Sequence, residues 1–235
     1  MDYFKFKEFS IEQRGASCKV GTDGVLLGAW AEVSDAKNIL DVGAGTGLIT
    51  IMMAQRNAQA RIDAVEIDKQ AVEQACRNIL ASPWNERIHL VNSDFLSLDS
   101  GVGKYDLIVS NPPFFEDSLK SPDERRNKAR HSDSLPQAAL LKQAAKLLSN
   151  RGIISVVLPF NISEKFIREA NKTGFFLRRQ LNVSPYPYKP YNRALLEFSR
   201  IEVEVDSGKL YICEAASGDY SQSYRLLTRD FYLKF

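Results

Sequence analysis

From residue 38 onward, short aliphatic runs alternate with longer stretches of helical period. Ile39-Leu40, Ala64-Val65, Leu107-Ile108-Val109 and Ile153-Ile154-Ser155-Val156-Val157 are almost continuously apolar, as strands covered on both faces must be. The pattern predicts strands at Asn38–Val42, Arg61–Ile67, Arg87–Asn92, Tyr105–Ser110 and Gly152–Leu158, with helices between them at Thr46–Arg56, Lys69–Ala81, Leu135–Ser149 and Ser163–Thr173. Strands separated by helices imply an α/β fold with a mostly parallel sheet and helices on both faces. Phe175–Asn182 and Ala194–Val205 read as two more strands. The connection Ser184–Asn192 is too short for a crossover helix, so an antiparallel hairpin is expected there. Phe4, Phe6, Phe9 and Ile11 suggest a short strand or lid, making residues 1–35 an N-terminal cap. Asp206-Ser-Gly208 reads as the turn of a further hairpin ending near Cys213, so 206–235 is expected to form a hairpin and a helix. With no linker or repeat between these segments, the expectation is a single domain over 1–235.

Composition changes this picture little. Hydrophobic residues at 44% and charged residues at 26% exclude a disordered, collagenous or coiled-coil chain. The early apolar run Val25–Ala31, interrupted by Gly28, falls far short of the ~18 residues of a membrane span. The opening Met-Asp-Tyr-Phe-Lys-Phe-Lys lacks the apolar region of a signal peptide, so a cytoplasmic protein is expected. Cys18, Cys76 and Cys213 are widely spaced without a Cys-x-x-Cys and read as reduced packing residues. His89 and His131 lack metal-ligand spacing, so no metal is expected.

Net charge is only +2, but it is unevenly spread. Residues 61–100 are acidic on balance. Lys120, Arg125, Arg126, Lys128 and Arg130 form one basic segment, and Arg178, Arg179, Lys189 and Arg193 a second that holds no acid. Such segments beside a pocket can hold phosphates; alone, they equally fit a solvated surface.

The densest chemical signal is Asp41-Val-Gly-Ala-Gly-Thr-Gly47, between the first strand and first helix of the alternating region. Glycines there let a ligand approach the backbone and permit the turn into the helix. Gly43, Gly45 and Gly47 alternate after an acid, unlike the G-x-G-x-x-G of dinucleotide folds, and no Gly-Lys-Ser/Thr follows as in a phosphate-binding P-loop. The loop resembles the S-adenosylmethionine loop of class I methyltransferases. Glu66, next to Ile67 at the end of the second strand, can accept ribose hydroxyls. Asp68 is the alternative, although its position suits a helix N-cap. The resemblance further implies that Asp94 accepts a hydrogen bond from the adenine amino group while Phe95 packs on the ring.

The fourth strand ends in Asn111-Pro-Pro-Phe114. An exocyclic purine amine is a poor nucleophile because its lone pair is delocalised. The Asn111 side-chain oxygen and the Pro112 carbonyl could both accept hydrogen bonds from that amine, favouring a pyramidal nitrogen, and Phe114 offers a stacking face for an unpaired base. This tetrapeptide resembles the motif shared by N6-adenine, guanine-N2 rRNA and release-factor glutamine methyltransferases. It therefore points to amino-group methylation before it points to a base.

Lys19-Val-Gly-Thr-Asp23 opens a polar turn ahead of an apolar helix. Taken alone it is an N-cap, though Thr22 and Asp23 could hold the methionine end of the cofactor. With Ser82-Pro-Trp84, Ala129-Arg130, Arg193-Ala-Leu-Leu196 and the run Tyr220 to Leu233, these motifs closely resemble the bacterial tRNA1(Val) adenine-N6 methyltransferase family from about residue 3 to the C-terminus. That resemblance implies a class I, Rossmann-like methyltransferase fold, S-adenosylmethionine as methyl donor, and the adenosine beside the anticodon of a valine tRNA as substrate; separately, a monomer is expected. Cofactor contacts are then expected from Lys19, Thr22, Asp23, Asp41, Gly43, Gly45, Gly47, Glu66, Ile67, Asp94, Phe95 and Asn111, with Asn111, Pro112 and Phe114 at the reacting amine. RNA contacts are expected from Arg125, Arg126, Lys128, Arg130, His131, Lys189 and Arg193. Phe114 stands where the family commonly has Tyr. Trp30 and Trp84 read as packing residues; Tyr186, Tyr188 and Tyr191 read either as RNA-stacking groups or as parts of an ordered Pro-rich loop. Rival readings are a guanine-N2 rRNA methyltransferase, a noncatalytic RNA-binding module and an NAD-dependent oxidoreductase.

Overall fold

A computed structural model describes residues 2–14, 19–99, 101, 103–112, 136–214 and 218–235. A small antiparallel hairpin, β1 (Tyr3–Lys5) and β2 (Ser10–Glu12), precedes the main sheet. That sheet has eight strands: β3 (Asn38–Val42), β4 (Arg61–Glu66), β5 (Ile88–Asn92), β6 (Tyr105–Ser110), β7 (Leu148–Pro159), β8 (Phe176–Ser184), β9 (Arg193–Ser199) and β10 (Asp206–Tyr211). Their spatial order is β10-β8-β9-β7-β6-β3-β4-β5, and β9 alone runs against its neighbours. The helices are α1 (Thr22–Trp30), α2 (Leu48–Arg56), α3 (Lys69–Leu80), α4 (Gln137–Leu147), α5 (Phe160–Lys172) and α6 (Gln222–Thr228).

The four strands nearest the glycine-rich loop lie close to their expected bounds, because an apolar run covered on both faces leaves little freedom of register. Several expectations require correction. Leu148 and Ser149, expected at the end of a helix, open β7, which starts four residues before the expected Gly152. The strand expected over 194–205 stops at Ser199, and the alternating Ile201-Glu-Val-Glu-Val205 is an exposed connection. Asp206-Ser-Gly208 is not a hairpin turn. It opens β10, which runs parallel to β8 because the connection from β9 passes the start of β8 and adds the new strand outside it. Gly208 is there for proximity: a Cβ on it would lie 3.0 Å from the Leu181 side chain.

Helix α1 is apolar around its circumference and buried, as a helix covered on all sides must be. Gly28 lets it approach α2, since a Cβ there would come within 2.5 Å of the Met52 sulfur. Arg56 closes the C-terminal end of α1 by donating to the carbonyls of Gly28 and Ala31. Trp30 is packed as expected, and Trp84 meets Phe9 edge-on at 6.1 Å. Cys76 departs from expectation: it is exposed on the polar face of α3. His89 is an exposed strand residue 3.5 Å from Asp63.

Candidate active site

All parallel strands of the sheet end on one edge, and neighbouring strand ends carry the expected site. Val42 pairs with Val65 and Ser110, and Glu66 pairs with Asn92. The glycine loop, Glu66, Asp94 and Asn111 therefore emerge side by side, at steps of about 4.8 Å between adjacent strands. The Ser110 hydroxyl donates to the Val42 carbonyl at 2.9 Å, fastening the strand that delivers Asn111 to the one that delivers the loop.

Gly43, Gly45 and Gly47 have φ of 76°, 56° and 80°, a region costly for side chains with a Cβ. At Gly43 an added Cβ would meet nothing within 4 Å, and at Gly45 only a carbonyl at 4.0 Å, so the loop faces open space suited to a ligand. Gly47 serves packing instead, against Ala75 and Ile79 of α3. The Gly43 and Ala44 amides donate to the Val65 carbonyl, and the Gly45 amide donates to Glu66 Oε2 at 2.9 Å. Glu66 Oε1 accepts from the amides of Ile67 and Asp68. Glu66 is thus a strut of the loop, with three of its roughly four acceptor positions engaged by backbone. Ile67 is exposed beside it. Asp68 is the N-cap of α3, accepting from the Gln70 amide.

Asp41 is fully buried. Its Oδ2 accepts from the Thr50 hydroxyl at 2.5 Å, whereas Oδ1 has no partner among the described residues. Burial pushes its pKa up to about 6; Thr50 opposes the shift and the Glu66 charge adds to it. An orphaned buried carboxylate oxygen calls for a donor. Together with the open space above Gly43 and Gly45, it fits a ligand that brings an ammonium group.

Asp94 accepts from the Leu96 amide and caps a short 3-10 turn over Phe95–Ser97. That turn rotates Phe95 towards the core, where it is 5% exposed in the cluster that holds Leu40, Val65 and Ile108. The apolar side chain exposed beside Asp94 is Leu96. Asn111 is half-buried and Pro112 buried at the end of β6. Phe114, Arg125, Arg126, Lys128, Arg130 and His131 lie outside the described residues.

Lys19 is exposed ahead of α1 and Thr22 is exposed as its first residue; the start of α1 lies against α2, since a Cβ on Gly24 would be 3.1 Å from Leu48. Asp23 and Arg193, expected to serve cofactor and RNA respectively, instead hold each other. The Arg193 Nε donates to both Asp23 oxygens at 2.9 and 2.8 Å. Lys189 stays exposed in the loop between β8 and β9.

Several supporting residues went unread in the sequence. Buried Asn78 donates to the carbonyls of Glu12 and Thr46 and accepts from the Glu12 amide, joining α3, β2 and the glycine loop. Gln74 also donates to the Glu12 carbonyl. The available signal was a pair of amides four residues apart, in phase with the apolar face of α3. Glu197, fully buried on β9, accepts from the Glu32 amide and from Arg179, whose guanidinium lies 4.5 Å from the Trp30 ring centre. Burial raises the Glu197 pKa despite the Arg179 charge.

The family described as Methyltransferase small domain matches residues 20–170. A Bacteroides fragilis (strain YCH46) protein named tRNA1(Val) (adenine(37)-N6)-methyltransferase is 47% identical over 234 residues, which cover 99% of this chain and 98% of that protein. Among solved structures, an Agrobacterium tumefaciens protein, Atu636, described as a predicted O-methyltransferase, has a TM-score of 0.68 at 17% identity, covering 89% of this chain and 96% of its own. P. horikoshii TYW2, solved in complex with MeSAdo, has a TM-score of 0.59 at 14% identity, covering 85% and 71%. These two likenesses speak to the fold, which is the class I methyltransferase fold. The end-to-end match at 47% identity, on a chain whose glycine loop and Asn111 leave paired strands, speaks to more: the chain belongs to the tRNA1(Val) (adenine(37)-N6)-methyltransferase family.

Proposed function

We propose that this protein transfers a methyl group from S-adenosylmethionine to the N6 amine of adenine 37 in the anticodon loop of tRNA1(Val). The observation that carries the reading is the pairing of Val42 with Ser110, which sets an ammonium-accepting glycine loop beside Asn111-Pro112. When bound, the cofactor supplies an electrophilic methyl on a sulfonium. Asp41 Oδ1 takes its ammonium end, with Lys19 and Thr22 close to the same end of the site. Gly43 and Gly45 leave room for its body. Glu66 accepts from the ribose by exchanging the Gly45 amide, and Asp94 accepts from the adenine amine through the oxygen not engaged by Leu96.

Asn111 and the Pro112 carbonyl accept hydrogen bonds from the target amine, drawing its lone pair out of conjugation and aiming it at the methyl. The N–C bond forms as the C–S bond breaks, and the proton of the resulting cation leaves to water. Positioning supplies most of the rate, so no strong base is needed. Arg125, Arg126, Lys128, Arg130, His131 and Lys189 grip the RNA, and Phe114 stacks on the extruded base. The enzyme works as a cytoplasmic monomer with one domain over 1–235, whose first 35 residues form the cap. The test is incubation with labelled S-adenosylmethionine and tRNA from a strain lacking this modification, followed by nucleoside mapping. N6-methyladenosine at position 37 is expected. N2-methylguanosine, or no incorporation into any tRNA, overturns the reading.

A further inference from the structure

The connection between β8 and β9 runs from Pro185 to Asn192, and no step of the proposed reaction uses its tyrosines. It stands on the catalytic edge: Arg193, the first residue of β9, pairs with Pro159 at the end of β7 and with Val183 near the end of β8. The rings of Tyr186 and Tyr188 are stacked, 5.4 Å apart and inclined by 17°. Tyr188 is 63% exposed, so most of its side chain is open to solvent. Lys189 lies 5.9 Å from the centre of that ring.

The loop is also held in shape. The buried Ser184 hydroxyl is within hydrogen-bond reach of the Tyr186 and Lys189 carbonyls, and the Lys189 amide donates to the Tyr186 carbonyl. The Cys213 amide donates to Pro185, while the Asn192 carbonyl accepts from Phe160, whose ring lies 5.3 Å from that of Tyr191. Pro185, Pro187 and Pro190 restrict the backbone further. A ring that gains nothing from core burial is therefore ordered before any partner arrives, and the entropy of fixing it is not charged to binding.

We propose that Tyr188, backed by Tyr186, is a stacking platform for an unpaired RNA base in the same loop as the methylated one, a few nucleotides away, with Lys189 facing the adjoining phosphate. An aromatic face beside a cation suits single-stranded nucleic acid, every base of which has a π-face next to a negative charge. Reach agrees as well. From β6, which delivers Asn111, to β9 and β8 is two and three strand steps, about 10–14 Å. That spans roughly three to four stacked nucleotides at 3.4 Å each, a distance available within one anticodon loop.

The inference rests on the reading of RNA as substrate, and its test separates the two. Binding of tRNA1(Val) transcript to the full-length protein is measured over a range of salt concentrations for native protein, Tyr188→Ala and Tyr188→Phe, with cofactor affinity followed by calorimetry. Tyr188→Ala is expected to weaken RNA binding roughly 5- to 150-fold, with the salt slope and cofactor affinity unchanged, because stacking is lost and no charge is. Tyr188→Phe keeps the ring and should stay within about twofold of native. RNA affinity of Tyr188→Ala within about twofold of native overturns the proposal, as does an equal loss in Tyr188→Phe or a shallower salt slope. If native protein methylates adenine and Tyr188→Ala binds as well as native, the platform fails and the function stands. If RNA binding depends on the ring but adenine is never methylated, the function fails and the platform stands.

Discussion

Asp41 combines two demands that conflict in the free protein. Its carboxylate is sealed from water and only half satisfied, which raises its pKa to about 6 from an ordinary 3.8. A raised acid favours folding while protonated, so its contribution is whole below pH 3.8 and fades as pH rises towards 6, a loss of about 3 kcal/mol. Asp41→Asn has no proton to lose. Thermal melts of the free protein should show native stability falling from pH 4 to pH 7 relative to the variant, while calorimetry shows weaker cofactor binding by the variant at pH 7. Parallel melting profiles would mean that burial does not hold the proton. The placement of Asp41 and Asn111 at the ends of paired strands was legible because the apolar runs before them fix where each strand stops. That of Phe95 was not: whether it faces ligand or core depends on a 3-10 turn set by the Asp94 cap.

Helix α1 is bracketed by a single strand. At its start Asp23 meets Arg193, and just past its end the Glu32 amide meets Glu197, both partners on β9. The two ends differ in energy. Asp23 and Arg193 are each about a third exposed, a setting in which an ion pair contributes at most ~1 kcal/mol. Glu197 is fully buried with Arg179 as its counter-ion, and removal of one member of such a pair costs ~3–5 kcal/mol. Arg179→Ala should therefore lower stability by about that amount in denaturant titrations. The double variant Arg179→Met/Glu197→Met should recover most of the loss; a double variant as unstable as the single would deny that the stranded charge is the cause. At this scale the sequence misled where turn chemistry and strand chemistry overlap. Asp206-Ser-Gly208 carries turn residues, yet its glycine admits Leu181 of a neighbouring strand, and that proximity is visible only once the strands are paired.

Across the whole molecule, the first and last segments are tied together. The Lys7 amide donates to Phe231, and the Lys7 ammonium donates to the carbonyls of Arg229 and Phe235. Phe6 stacks on Phe9, and both join buried Phe231 and partly buried Tyr232 in one aromatic cluster. From this base β2 reaches α3, and Asn78 passes the connection to Thr46 in the glycine loop. Asn78→Ala leaves several buried partners unpaired at once, so it should cost ~1–3 kcal/mol of stability and also weaken cofactor binding. Unchanged cofactor affinity in a destabilised Asn78→Ala would detach the cap from the loop. The clasp between Lys7 and the C-terminal segment was not legible in local pattern, because it joins residues more than 200 positions apart; the strands around the glycine loop were legible because each announces its own burial.

Whether Asn111 acts on the reacting amine or on the fold is decided by a single-turnover measurement of Asn111→Ala on tRNA1(Val). Loss of one preorganised acceptor should slow methylation by ~10²–10³, with cofactor affinity and melting temperature near native. An Asn111→Ala protein that methylates adenosine at the native single-turnover rate would exclude a role for Asn111 at the amine.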